Sequence, residues 1–121
     1  MQQDISMTNA EYRFACIVWD HEPIASPELC KICEKQLGWK RTTTYTVLKR
    51  LCDRGLMQNV TATVTSLIRR DQVLQHASQV IVESRFNDQL PQFITAFLNN
   101  RQLSAREAEE IKALIDQHKE G

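Results

Sequence analysis

Residues 38–56 read GWKRTTTYTVLKRLCDRGL, and the two-sidedness of this stretch decides the fold class. At 100° per residue, Thr44, Val47, Leu48 and Leu51 fall on one face of a helix, with Cys52 at its edge. Thr42, Thr43, Thr46, Lys49, Arg50 and Asp53 fall on the other. The helix is expected from Arg41 or Thr42 to about Arg54, since Gly55 suits a helix stop. One face therefore belongs to a core, and the other is basic and carries short hydroxyl side chains.

Two helices are expected upstream. Thr8-Asn9-Ala10-Glu11 is a capping-box pattern with Thr8 at N-cap and Glu11 at N3. Tyr12, Phe14, Ala15, Val18 and Trp19 continue at helical spacing to about Asp20, and Pro23 ends the run. Ser26-Pro27 reads as an N-cap serine followed by proline at the first helical position. That second helix turns Leu29, Ile32, Cys33 and Leu37 inward and stops at Gly38.

Downstream of Gly55 the pattern becomes β-rich. Residues 56–60 and 64–68 are strand candidates around Thr61-Ala62-Thr63. An isolated hairpin is marginal in water, so this one is expected to pack on the three helices. Three helices followed by a two-stranded hairpin is the order of a winged helix-turn-helix domain, expected over residues 1–70 of a mainly α protein.

From Asp71 helical spacing returns, with Val73, Ala77, Val80, Ile81 and Ser84 as one stripe. Leu90, Phe93, Ile94, Phe97 and Leu98 form a second. Ser104-Ala105-Arg106-Glu107 is another capping box, with Leu103 placed to staple against Ala108 and with Ile111, Leu114 and Ile115 following. Amphipathic helices this short are marginal alone. After a finished domain they have little to bury against, so residues 71–121 are expected to form a helical dimerisation region. Its interface is assigned to Phe86, Leu90, Phe93, Ile94, Phe97, Leu98, Ile111, Leu114 and Ile115.

The charge distribution indicates what the first domain binds. The chain of 121 residues holds 15 Lys+Arg and 15 Asp+Glu, so it is formally neutral. Residues 1–30 carry one base against five acids, residues 31–70 nine against two, and residues 71–121 five against eight. The middle third is thus strongly basic, as a local polyanion-binding surface requires. Threonines let a helix approach base edges closely, while lysines and arginines neutralise phosphates. The candidate DNA contacts are Lys40, Arg41, Thr42, Thr43, Thr46, Lys49, Arg50 and Arg54, with the third helix in the major groove and Arg69 at the hairpin's end reaching phosphate.

Ala10-Glu11-Tyr12, Val18-Trp19, Gly38-Trp39, Thr43-x-x-Thr46-x-Leu48-x-Arg50-Leu51 and Gly55-Leu56 resemble the penicillinase-repressor family (BlaI/MecI/CopY type) of winged-helix transcriptional repressors. Leu103-Ser104-x-x-Glu107-x-x-Glu110-Ile111 is similar to that family's last helix, so the resemblance spans about residues 6–118. It implies a homodimeric repressor that binds a palindromic double-stranded DNA operator and dimerises through its C-terminal helices. Thr43, Thr46 and Arg50 match the family's recognition-helix positions, Arg41 stands where the family often has proline, and Trp39 matches the aromatic before that helix. An upstream sensor or protease is a further partner that the family brings. Members cleaved by a sensor protease carry Asn-Phe where this chain has Ala96-Phe97, and copper-responsive members end in a cysteine-rich tail where this chain ends at Gly121. The wing tip Thr61-Ala62-Thr63 also lacks the family's glycine and basic residue.

Rival functions find less in the residues. Cys30-Lys31-Ile32-Cys33 has CxxC spacing, so a thiol- or metal-responsive regulator is one alternative, with Cys16, His21 or Cys52 as further ligands. Zinc sites of this type use a second pair, which is missing, and Cys33 lies on an apolar stripe, which favours core packing and no metal. A winged-helix protein-interaction module is another alternative. Catalysis and cofactors are not expected: the three glycines are scattered and His21, His76 and His118 sit on separate elements. The longest uncharged apolar run, 14–19, is far short of the roughly 20 residues that span a bilayer. No signal-peptide layout is present, so a cytoplasmic protein with free thiols is expected.

Overall fold

Thr8 opens the first helix in the way its sequence context predicts. Its hydroxyl accepts from the Glu11 N–H at 3.1 Å, and Glu11 Oε1 accepts from the Thr8 N–H at 2.9 Å. The computed structural model describes residues 4–121, and helix α1 (Asn9–His21) buries Phe14, Ala15, Ile17 and Val18. Strand β1 (Ile24–Ala25) follows, a two-residue element that no periodicity in the sequence announces. Helix α2 (Ser26–Leu37) buries Leu29, Cys30 and Cys33 and ends at Gly38 with φ of 69°, the left-handed cap that glycine adopts without strain. Helix α3 (Arg41–Asp53) buries Thr44, Val47, Leu48 and Leu51, the face that its spacing assigns to the core.

The expected cap at Ser26 is corrected by β1. Pairing of Ile24 with Val64 and of Ala25 with Thr63 keeps the chain extended through Ala25, so Ala25 takes the cap position and Ser26 is already helical. The Ser26 N–H donates to the Ala62 carbonyl at 2.8 Å, and its hydroxyl accepts from Tyr45 at 3.2 Å.

Strands β2 (Met57–Val60) and β3 (Thr63–Ser66) form the expected hairpin, with β3 at the centre of a three-stranded antiparallel sheet of order β1-β3-β2. The register joins Val60 to Thr63, so the turn is the two residues Thr61 and Ala62, and Thr63 belongs to the strand. Glu22 ties the sheet to the end of α1, its carboxylate accepting from the Ser66 N–H and hydroxyl at 2.8 Å. Phe14, Val18, Leu29, Leu51, Leu56, Met57 and Val64 fill the core between helices and sheet. This is a mainly helical winged helix-turn-helix arrangement, as the order of elements predicts.

Three helices complete the chain: α4 (Arg70–Phe86), α5 (Leu90–Leu98) and α6 (Ala105–His118). Ser104 caps α6, its hydroxyl accepting from the Glu107 N–H at 3.0 Å. The chain divides into two compact units, one up to Val80 and one from Ile81 onward, so the division falls inside α4. Within the second unit, Phe93 meets Phe86 edge-on at 5.4 Å and Phe97 at 6.1 Å between ring centroids. The Arg101 guanidinium lies 4.5 Å over the Phe97 ring. Phe93, Ile94, Phe97, Leu98, Leu103 and Ile111 line a groove of about 360 Å³, and neither α5 nor α6 has a buried residue.

The wing turn carries backbone strain that a substitution can release. Thr61 and Ala62 have φ of 52° and 59°, the left-handed pair of a type I′ turn, without the asparagine or glycine that favours it. A left-handed L-residue costs roughly 1–2 kcal/mol, partly offset in a glycine variant by the greater freedom of its unfolded chain. Ala62→Gly is therefore expected to stabilise the protein by about 0.5–1 kcal/mol and to raise Tm by about 2–5 °C in a thermal melt. A lowered Tm would contradict the turn geometry.

Candidate nucleic-acid interface

Packing of Thr44, Val47, Leu48 and Leu51 onto the core fixes which side of α3 faces water. Tyr45, half-buried, reaches Ser26 with its hydroxyl and so pins the start of α3 against the start of α2. The exposed side then carries Lys40, Arg41, Thr42, Thr43, Thr46, Lys49 and Arg50. Seven of the nine residues expected to contact DNA thus share one continuous surface.

These side chains differ in how far their polar groups are already engaged. Arg41 lies 5.7 Å over the Tyr45 ring, a contact that steadies its stem without neutralising its charge. Thr46 donates its hydroxyl proton to the Thr42 carbonyl at 2.8 Å, leaving its oxygen as an acceptor. Lys49 Nζ lies 2.8 Å from Asp53 Oδ2, and that carboxylate holds the lysine pKa above its ordinary value. Arg50 Nε lies 3.0 Å from Glu11 Oε2.

Arg54 and Arg69 stand apart from this surface. Arg54 turns under the helix end, where Nη1 donates to Glu11 Oε2 at 3.4 Å and Nη2 to the carbonyls of Asp4 and Ser6. The Asp4 carboxylate lies 3.9 Å away, and its pKa is lowered chiefly by the Ser6 N–H that it accepts at 3.0 Å. Arg69, exposed just before α4, has Nε 3.0 Å from Asp71 Oδ1. Its neighbour Arg70 pairs with Asp20 at 2.7 Å and lies over the Trp19 ring. The wing tip Thr61-Ala62-Thr63 is exposed and uncharged.

Sequence reading saw Glu11 only as a helix cap and missed its second role. One oxygen serves the capping box, and the other faces two guanidinium groups of α3. The available signal was the spacing of Arg50 and Arg54 at i, i+4, which sets two like charges side by side and calls for a shared anion.

The remaining candidates resolve as packing. Trp39 stacks on Phe14 with centroids 5.9 Å apart, as expected of a core aromatic. Cys30 and Cys33 are both buried, and burial pushes the Cys33 thiol up to about 11, which leaves it a protonated small hydrophobe. Among the described residues, no group of three or more His, Cys, Asp or Glu side chains is placed to hold a metal ion. No helix among them is long and apolar enough to cross a membrane.

Comparison with known proteins bears on the family and the fold. The penicillinase-repressor family model matches residues 7–117. Over 123 aligned residues the chain is 25% identical to the penicillinase repressor of Bacillus licheniformis, covering 98% of this chain and 96% of that protein. The solution structure of the DNA-binding domain of the repressor BlaI superposes with a TM-score of 0.51 at 26% identity, covering 58% of this chain and 90% of that domain. The likeness takes in the winged-helix fold and, in sequence, nearly the full chain, and this protein belongs to the penicillinase-repressor family.

Proposed function

We propose that this protein is a DNA-binding transcriptional repressor, a regulator and not an enzyme, that binds a palindromic operator as a homodimer. The observation that carries the reading is the exposed face of α3, where three threonines lie among Lys40, Arg41, Lys49 and Arg50. A helix of this kind enters the major groove, where hydroxyls and methyl groups meet base edges and the flanking cations meet phosphates. Lys40 and Arg41 precede the groove-facing turn and serve as phosphate contacts, while Thr42, Thr43, Thr46 and Arg50 read bases. The family, and a solved relative that is itself a DNA-binding domain, support the same reading.

Assembly follows from the second unit. Residues 1–70 act as the DNA-binding domain and residues 71–121 as the dimerisation region. Phe97 is 52% exposed and Ile115 59% exposed, and Leu90, Ile94, Ile111 and Leu114 are also open to water. A second copy is the partner that covers such a stripe on both chains at once, and its two-fold axis sets two copies of α3 about one DNA turn apart. A cytoplasmic location agrees with this role.

Two measurements test the reading. Binding to a random-sequence duplex is expected to weaken steeply with salt, and Lys40→Ala to reduce the slope of log K against log salt by about 0.9, the share of one phosphate. No binding at low salt would refute the DNA assignment, and an unchanged slope and affinity would remove Lys40 from the interface. Phe97→Asp, which sets a charge in the apolar stripe, is expected to give monomers in sedimentation analysis while the circular dichroism of the winged-helix domain persists. A wild-type protein that is monomeric at tens of micromolar would overturn the dimer.

A further inference from the structure

We infer that Glu11 is a positioning residue for the α3 face: it holds the Arg50 guanidinium in register for base recognition and suppresses its binding to arbitrary phosphates. The inference rests on the DNA-binding reading above and concerns what sets selectivity within that surface. Glu11 lies on α1 and its side chain is only 5% exposed, so it touches no DNA itself. Its Oε2 lies 3.0 Å from Arg50 Nε and 3.4 Å from Arg54 Nη1, while its Oε1 is held by the Thr8 N–H. The carboxylate is therefore fixed on both sides before any ligand arrives.

The two arginines are not equivalent. Arg54 is 25% exposed and has its Nη2 engaged by backbone carbonyls, so it serves to hold Glu11 from below. Arg50 is 53% exposed and lies on the same helical face as Thr43 and Thr46. Its Nε is anchored at the carboxylate while the side chain stays half exposed, and an arginine so held loses less freedom on meeting a base pair. The same carboxylate removes one unit of charge from the surface. That lowers attraction to phosphates of any sequence, which is electrostatic and sequence-blind. Selectivity is a difference of affinities, and Glu11 acts on both members of it.

Glu11→Gln keeps the size of the side chain and an oxygen for the Thr8 N–H, and replaces the charged acceptor that faces Arg50 and Arg54 with a neutral amide donor. The probes are the duplex that wild-type protein enriches from a random pool and a scrambled duplex of equal length. The variant is expected to bind the scrambled duplex more tightly, with a salt slope steeper by about one phosphate. Its preference for the enriched duplex is expected to fall roughly tenfold, the scale of one arginine–base contact. In an Arg50→Ala background the same substitution is expected to leave the preference unchanged. Arg50→Lys, which leaves Glu11 and Arg54 in place, is expected to lose the preference while keeping the wild-type slope, since it keeps the charge but lacks the planar fork. A preference unchanged in Glu11→Gln overturns the inference. So does a parallel loss of both affinities together with a lowered Tm, which is the mark of a purely structural role, or a full effect that persists without Arg50. A wild-type protein that enriches no duplex overturns the DNA-binding reading itself.

Discussion

A single buried carboxylate connects the parts of the first unit that must agree for α3 to present a defined face. Glu11 closes the capping box of α1, and through Arg50 and Arg54 it ties α1 to α3. Arg54 in turn holds the backbone of Asp4 and Ser6, and Ser6 meets His76 of α4 at 3.0 Å. Exposed ion pairs contribute about 0–1 kcal/mol, whereas an ion pair broken in the interior costs about 3–5 kcal/mol. Glu11 is buried while Arg50 is half in water, so its contribution lies between these limits. Four buried side chains hold α3 on the core, and apolar packing alone tolerates small rotations about the helix axis. Directional contacts to a fixed carboxylate remove that freedom.

Elements that rest on local chemistry were legible in the sequence. The α1 cap at Thr8, the stop at Gly38 and the two faces of α3 each follow from a few adjacent residues, and the structure has all three. Elements set by distant pairing were not. β1 has two residues, too few for any alternation to register, and it exists because β3 offers an open edge. That pairing displaced the cap expected at Ser26. The wing turn lacks a glycine because ladder register imposes it, so a turn signal in the residues themselves is weak. For the α3 face, residue type and helical spacing were enough to gather seven of nine candidates on one surface. The direction of Arg54 was beyond them, because a charge in a sequence does not disclose which acid it meets across the fold.

The basic middle third looks more positive in the sequence than it is on the surface, since Lys31, Lys49, Arg50, Arg54, Arg69 and Arg70 each have a carboxylate within 4.0 Å. Two of those acids, Glu11 and Asp20, lie in α1, so the acidic first segment and the basic second one partly cancel in space. Lys35, Lys40 and Arg41 lack such a partner among the described residues, and two of these three, Lys40 and Arg41, stand where α3 begins. A compact positive end on an otherwise neutral chain confines attraction to one orientation of approach, where a uniformly basic protein attracts from every side.

The two units differ in what stabilises them. The first has its own core, from Phe14 to Val73, whereas α5 and α6 bury no residue at all. A helix of nine residues such as α5 is marginal in water unless tertiary packing supports it. On the dimer reading, that support comes from the partner chain, so helix formation in the second unit and association become one equilibrium. The stability of the second unit then depends on protein concentration, while that of the winged helix does not. On the same reading the coupling also reaches the operator: only an assembled dimer would place two α3 faces on one duplex, where the second half-site is met at the effective concentration set by the first. Occupancy of a palindrome then rises with roughly the square of the monomer concentration at levels where the dimer is scarce. On that reading, any event that separates the second units lowers affinity without altering a single contact of α3.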